Sequence, residues 1–89
     1  MKTIILDISN IYTVKALHIY LAYMLVLPAH YGKNLDALYD ILTERGEETV
    51  LRVLESDRLE SLLGSYGALL LSTLQEAAED NPALTVELL

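Results

Sequence analysis

The groups best placed for chemistry are acidic side chains that recur every four residues between Asp36 and Glu44. If this stretch is helical, Asp36, Asp40 and Glu44 lie along one side, because a helix advances about 100° per residue. Stacked carboxylates repel one another and suit contact with a cationic surface. A second acidic side is expected on a later helix, where Glu76 and Glu79 fall on the same face.

Groups that could catalyse a reaction are few. Only His18 and His30 could act as imidazole bases, and His18 lies within an apolar helical run that favours a buried structural role. The sequence has no Ser-centred nucleophile elbow, P-loop or GxGxxG. Asp36 and Asp40 could attract Mg²⁺ or Ca²⁺, but further oxygen ligands at a useful spacing are lacking. We therefore predict a protein that is not an enzyme and uses no metal or cofactor.

Composition narrows the remaining classes of function. The chain carries 13 acidic and 6 basic residues, a formal net charge of -7, so its field repels nucleic-acid phosphates and attracts cationic surfaces. A hydrophobic content of 53% over 89 residues predicts a folded chain rather than a disordered one, and a single domain, residues 1–89. The absence of cysteine fits a reducing compartment, and we expect a cytoplasmic protein.

Neither apolar segment near the start of the chain predicts contact with a membrane. Residues 1–10 are interrupted by Asp7 and lack the features of a signal peptide. The most apolar window, Ala16 to Ala29, contains His18 and stops at Pro28, short of the roughly 20 residues that span a bilayer.

Alternating apolar runs and turn signals predict the elements that position these side chains. The predicted strands are Thr3 to Ile8, Thr49 to Leu54 and Leu84 to Leu88, and the first is expected to be buried on both faces. The predicted helices are Val14 to Leu25 capped by Thr13, Asn34 to about Thr43 with Asn34 as the cap, Asp57 to Leu63 capped by Ser56, and Tyr66 to Glu79. Strands separated by helices favour an α/β fold with a small parallel sheet and right-handed crossovers.

The first predicted helix is apolar around most of its circumference. Leu17, Leu21 and Leu25 form an inward stripe together with Met24, while other apolar side chains cover much of the remaining surface: Ile19, Tyr20, Ala22 and Tyr23. So small a protein can hardly bury every side of such a helix. The alternatives are burial on most sides or an exposed apolar patch used in weak self-association.

The stretch from Leu27 to Leu42, LPAHYGKNLDALYDIL, resembles the signature of the barstar family, small intracellular inhibitors of secreted guanyl-specific ribonucleases such as barnase. That signature is approximately Leu-Pro, two aromatic residues, Gly-x-Asn-Leu-Asp-Ala-Leu, an aromatic residue and Asp. The resemblance spans nearly the whole chain and includes the Leu17-His18 pair and Gln75-Glu76-Ala77. It implies a three-stranded parallel sheet packed with helices. It also implies a 1:1 complex in which the loop and second helix plug a ribonuclease active site, with carboxylates in place of RNA phosphates.

The resemblance implies a role for each binding residue. Asp40 matches the family aspartate that sits deepest in the phosphate site, and Asp36 matches the other aspartate of the same helix. Glu76 matches a glutamate on the last long helix that adds a charged contact. Asn34 and Gly32 match positions that shape the loop and contribute backbone or amide contacts.

Several of these residues also have a purely structural interpretation. Asp36 could merely favour the helix dipole from the first turn, and Glu76 could be a surface charge. Asn34 is also a helix cap, and Gly32 is expected to permit a positive φ.

Three further positions border the implied interface. Leu35 is expected to divide itself between core and interface, and Thr73 to lie at the rim. Tyr39 replaces the tryptophan usual in the family and keeps an aromatic ring with a polar tip, with a place in the core as the alternative.

His30 is the main departure from the family pattern, which places a tyrosine there to stack on the catalytic histidine of the enzyme. Histidine side chains gain charge near neutral pH, and a protonated ring facing a cationic cleft would be repelled. We therefore expect tighter inhibition at about pH 8 than at about pH 6. Tyr31, beside it, is expected to pack in the core. The alternative to an inhibitor is a barstar-like interaction module with another partner, joined through the apolar first helix.

Overall fold

Three parallel strands form a sheet in the order β1-β2-β3, so the predicted α/β class is confirmed. The computed structural model describes residues 1–89. The elements are β1 Lys2–Asp7, α1 Val14–Met24, α2 Leu35–Glu44, β2 Thr49–Leu54, a 3₁₀ turn Ser56–Arg58, α3 Leu59–Leu63, α4 Ser65–Asp80 and β3 Leu84–Leu88.

All the helices lie on one side of this sheet. Parallel crossovers are right-handed as a rule, so two that step in the same direction, β1 to β2 and then β2 to β3, are expected to place their helices on the same face. Burial agrees, because Ile4 and Leu6 of β1 are buried while Thr3, Ile5 and Asp7 are exposed. The prediction that the first strand is buried on both faces is therefore wrong. Sequence alone did not reveal that the second face stays uncovered.

The uncovered face carries a row of paired residues across the sheet. Ile5 is in register with Arg52, and Arg52 with Glu87. The Arg52 Nε lies 2.6 Å from a carboxylate oxygen of Glu87, and both side chains remain substantially exposed. Ile5 is 48% exposed beside them. We refer to this surface as the bare sheet face.

One contiguous core fills the space between the sheet and the helices. Its centre is made of leucines from α1, α2, β2 and α4, each of them fully buried. The buried apolar residues are Ile4, Leu6, Ile8, Ile11, Leu17, Leu21, Leu25, Tyr31, Leu38, Leu42, Leu51, Val53, Leu59, Leu70, Leu74, Ala77 and Leu84.

Side-chain caps begin two of the helices as the sequence predicts. The Thr13 Oγ1 accepts the Ala16 amide at 3.0 Å, and the Asn34 Oδ1 accepts the Ala37 amide at 2.8 Å. The predicted cap at Ser56 is wrong, because its amide and hydroxyl both donate to the carbonyl oxygen of Leu89. Ser56 therefore holds the end of the chain instead of starting a helix.

α3 and α4 meet at a glycine. A Cβ on Gly67 would lie 2.3 Å from the carbonyl oxygen of Leu59, far inside van der Waals contact. Gly64, which separates the two helices, has a φ of 62°. Gly64 thus permits the break between the two helices, and Gly67 permits their close packing.

α1 buries one side and exposes another. Leu17, Leu21 and Leu25 are buried, whereas Ile19 is 50% and Tyr23 is 80% exposed. These two exposed residues lie one turn apart and so form an apolar patch on the helix surface.

No helix in the structure is both long and apolar enough to cross a membrane.

Candidate functional site

The loop between α1 and α2 leads directly into the acidic helix. Its turn closes with a hydrogen bond of 3.0 Å from the Tyr31 amide to the Pro28 carbonyl, which leaves His30 exposed at the turn. The expected positive φ at Gly32 is wrong: Lys33 holds that conformation, with a φ of 53°. Glycine is favoured at position 32 because there is little room for a side chain: a Cβ there would lie 3.2 Å from the Asn34 Nδ2.

Asn34 connects the loop to α2 through both ends of its amide. In addition to capping the helix with its Oδ1, it donates from Nδ2 to the Gly32 carbonyl at 3.2 Å. The predicted capping role of Asn34 is therefore confirmed. Its side chain remains exposed at the end of the loop, where a partner could reach it.

α2 packs against α4, and an open groove of about 260 Å³ lies along their line of contact. The sequence predicted every residue that lines this groove as a binding residue. Asp36 and Glu76 supply one carboxylate from each helix, while Leu35, Tyr39 and Thr73 supply the remaining walls. Residues forty positions apart in sequence thus share one acidic surface. We refer to it as the α2/α4 groove.

The walls of the groove are partly fixed by the fold. Leu35 and Tyr39 are half-buried and pack against the core, so each contributes to both core and surface. The Thr73 hydroxyl donates to the Leu69 carbonyl within α4 at 2.8 Å. The groove therefore has walls of limited freedom, formed by Leu35, Tyr39 and Thr73, and two exposed carboxylates at its surface.

Tyr39 also joins the two helices by a polar contact, since its hydroxyl donates to a carboxylate oxygen of Asp80. That hydrogen bond is the main reason why the pKa of the Tyr39 phenol is raised, and the nearby charges of Glu76 and Asp40 act in the same direction. Asp40 is exposed and does not line the groove, but its charge reaches this ring.

Asp80 is the residue of this surface to which the sequence had assigned only a place at the margin of the second acidic side, with no role in the site. It follows Glu76 by four residues and therefore continues the acidic side of α4 by one turn. That spacing was the available signal. The choice of Asp80 over Glu79 as the neighbour of Tyr39 depends on how α2 and α4 cross.

His18 lies beneath the loop as a buried structural residue. It is 1% exposed, and its Nδ1 and Nε2 each lie 2.6 Å from a tyrosine hydroxyl, those of Tyr31 and Tyr66 respectively. Burial lowers the pKa of His18 and raises the pKa of Tyr31 to about 12. Tyr31 is 6% exposed, so its predicted packing role is confirmed.

The acidic residues do not converge as metal ligands do. The structure contains no group of three or more His, Asp or Glu side chains arranged to hold a metal ion. The carboxylates of the α2/α4 groove face outward on two helices, a distribution that suits several separate contacts with a cationic surface.

Comparison with known proteins shows the family of this chain. Residues 1–88 match the family described as Barstar (barnase inhibitor). A relative in Bacillus subtilis (strain 168), named "Putative ribonuclease inhibitor YrdF", is 37% identical over 81 residues, which cover 90% of this chain and 89% of the relative. The chain belongs to the barstar family.

Proposed function

We propose that this protein inhibits a secreted guanyl-specific ribonuclease by forming a 1:1 complex, with residues 1–89 acting as one domain. In this complex the loop from Leu27 to Asn34 and the helix α2 fill the active site of the enzyme. The observation that carries the proposal is the α2/α4 groove, where five residues predicted from the sequence to meet the enzyme come together from two helices. Membership of the barstar family and the name of the Bacillus subtilis relative support an inhibitor of ribonucleases in general.

Electrostatics favours this kind of partner. A ribonuclease active site must hold RNA phosphate and is therefore lined with cationic groups, which carboxylates can engage by short charge-assisted hydrogen bonds. Asp40 and Asp36 stand one turn apart on α2, and Glu76 flanks them from α4. In the proposed complex these carboxylates replace successive phosphates, with Asp40 as the main anchor. The negative net charge would also accelerate encounter.

The apolar residues around the carboxylates complete the surface. Leu35 and Tyr39 are held by the core, so they meet a partner with little loss of conformational freedom. His30 projects from the turn that precedes them. We propose that it contacts the enzyme in place of the tyrosine usual in the family, and that inhibition is tighter at about pH 8 than at about pH 6.

The test is a titration of a small guanyl-specific ribonuclease with the purified protein at low and high salt. We expect stoichiometric inhibition that weakens with salt, and Asp40→Ala should weaken it further because a cation of the enzyme then loses its partner. Asp57→Ala is the matched control, since Asp57 is an exposed carboxylate in the 3₁₀ turn and so lies on neither α2 nor α4. Equal effects of the two substitutions would contradict the proposed surface.

A second candidate function is an interaction module that associates with itself through α1. The exposed side chains of Ile19 and Tyr23 favour it, because a second copy of the chain that covered them would remove apolar surface from water. Sedimentation at high protein concentration separates the candidates. A self-associating module would form a dimer that Tyr23→Ser weakens, whereas a strict monomer that inhibits a ribonuclease would exclude it.

A further inference from the structure

The loop from Pro28 to Asn34 is attached to the core by one side chain. Every residue of this segment is exposed except Tyr31, which is 6% exposed. Its neighbours His30 and Gly32 are residues for which we propose contact with the enzyme. The position of the proposed contact residues therefore depends on what holds the ring and hydroxyl of Tyr31.

The hydroxyl of Tyr31 is held by His18, and His18 is held in turn by Tyr66. The histidine ring stands between the two tyrosine rings, with centroids 5.8 Å from Tyr31 and 5.9 Å from Tyr66, and each of its nitrogens makes a 2.6 Å hydrogen bond. Tyr66 lies in the first turn of α4, and His18 lies in the middle of α1. The loop is thus linked to two helices through one imidazole.

The hydrogens of this network can be assigned by requiring that every buried donor has an acceptor. A neutral histidine donates from one ring nitrogen and accepts at the other. The Tyr31 hydroxyl is buried with His18 as its hydrogen-bond partner, so its hydrogen points to the Nδ1. The Nε2 then donates to the oxygen of Tyr66, whose own hydrogen can reach solvent because that residue is only partly buried. His18 is therefore the Nε2–H tautomer.

We propose that His18 is the positioning residue of the inhibitory loop, and that it holds Tyr31 in place only while its Nδ1 is unprotonated. A proton on Nδ1 would face the hydroxyl hydrogen of Tyr31. The tyrosine would have to turn that hydrogen away inside a buried site, and the hydrogen bond that fixes the loop would weaken. The consequence for inhibition rests on the proposed function, but the attachment of the loop does not.

The surroundings of His18 make this state sensitive to acid. Burial lowers the pKa of His18. The titratable groups that face its ring are Tyr31 from the loop and Tyr66 from α4. No carboxylate compensates a positive charge there. Protonation therefore favours conformations in which the loop has opened and His18 is exposed to water. The population of these open conformations increases as the pH falls.

Hydrogen exchange of the free protein tests the attachment without any ribonuclease. The Tyr31 amide, which donates to the Pro28 carbonyl, reports on the loop, and the buried Thr49 amide, which donates to Ala83, reports on the sheet. Between about pH 7 and about pH 5 the protection factor of Tyr31, corrected for intrinsic exchange, should fall by about tenfold or more, while that of Thr49 changes much less.

Two variants isolate the histidine. His18→Gln keeps a donor and an acceptor without a titrating ring, so the protection at Tyr31 should no longer depend on pH. Tyr31→Phe keeps the ring and removes the hydroxyl, so the amide at position 31 should be poorly protected at both pH values. An unchanged Tyr31 protection factor in the wild type, or the same fall in His18→Gln, would overturn the proposal.

Inhibition measured at the same pH values tests the link to function. The affinity ratio of wild type to His18→Gln cancels the titration of the enzyme itself, and on acidification it should fall by the same factor as the fraction of molecules with a closed loop, a fraction that the Tyr31 protection factors give. His30→Gln is the control for the exposed histidine of the same loop and should retain the part of the acid effect that comes from His18. A ratio that does not follow the closed fraction would mean that the loop does not carry the binding energy, and the proposed effect of His18 on inhibition would be wrong.

Discussion

The hydroxyl of Tyr39 in α2 donates to the carboxylate of Asp80 at the end of α4, so the two helices that carry the proposed binding surface are joined at that surface. Tyr39→Phe removes this contact and keeps the ring. We expect the free energy of unfolding to fall slightly, because solvent weakens this hydrogen bond to a charged group. Denaturant unfolding near neutral pH measures it, with the exposed Tyr23→Phe as control. Equal losses in both variants would contradict the contact.

Asp36→Ala and Glu76→Ala should each weaken inhibition of the ribonuclease. Each substitution removes a carboxylate of the α2/α4 groove, and hydrogen bonds to charged groups are worth about 1.5 to 3 kcal/mol. The losses should shrink at high salt, because salt screens the attraction to a cationic cleft. Inhibition assays at two ionic strengths measure both effects. Glu60→Ala on α3 is the control, and a loss there as large as at Asp36 would place the interface elsewhere.

Alkaline pH should destabilise the protein through Tyr31. Its pKa is about 12 in the folded protein against about 10 for an unfolded tyrosine, so the folded state holds its proton more tightly. This contribution is complete below pH 10 and is lost as the pH rises toward 12, by roughly 2 to 3 kcal/mol. The free energy of unfolding, measured at several pH values across that range, should fall less steeply with pH in Tyr31→Phe. The control Tyr12→Phe, at an exposed position, should keep the wild-type slope.

Gly67→Ala should destabilise the protein strongly. The added methyl would press on the carbonyl of Leu59 and push α3 and α4 apart, at a cost of about 2 kcal/mol or more by analogy with overpacked cores. Gly46→Ala is the matched control, because nothing lies within 4 Å of a Cβ at that position. Thermal unfolding of the two variants tests the difference. A similar midpoint for both would show that the helices can separate without cost.

Local signals in the sequence were sufficient for most of the elements. The strands β2 and β3 begin and end where predicted, because turn residues flank each apolar run. The caps Thr13 and Asn34 lie where a polar side chain precedes a periodic helix. Helical spacing placed Asp36 and Glu76 on two separate acidic faces, and the resemblance to the family then gave both residues roles in one interface, where the groove brings them together.

Features that depend on contacts distant in sequence were not predictable in this way. The contact between Ser56 and Leu89 requires the end of β3 to lie beside the end of β2, which follows from strand order. The exposure of Ile5 depends on which face the crossovers cover. The positive φ lies at Lys33 and not at Gly32 because the loop has to join the capped start of α2, where Asn34 bonds back to the Gly32 carbonyl.

The bare sheet face gives the molecule two sides that can be used separately. The α2/α4 groove opens on the outer surface of the helical layer, while Arg52 and Thr85 are exposed on the strands of the sheet. A cysteine introduced at Thr85 would therefore allow attachment to a sensor chip or a fluorophore, with the groove pointing into solution. A chain without native cysteine accepts such a handle at a single defined point.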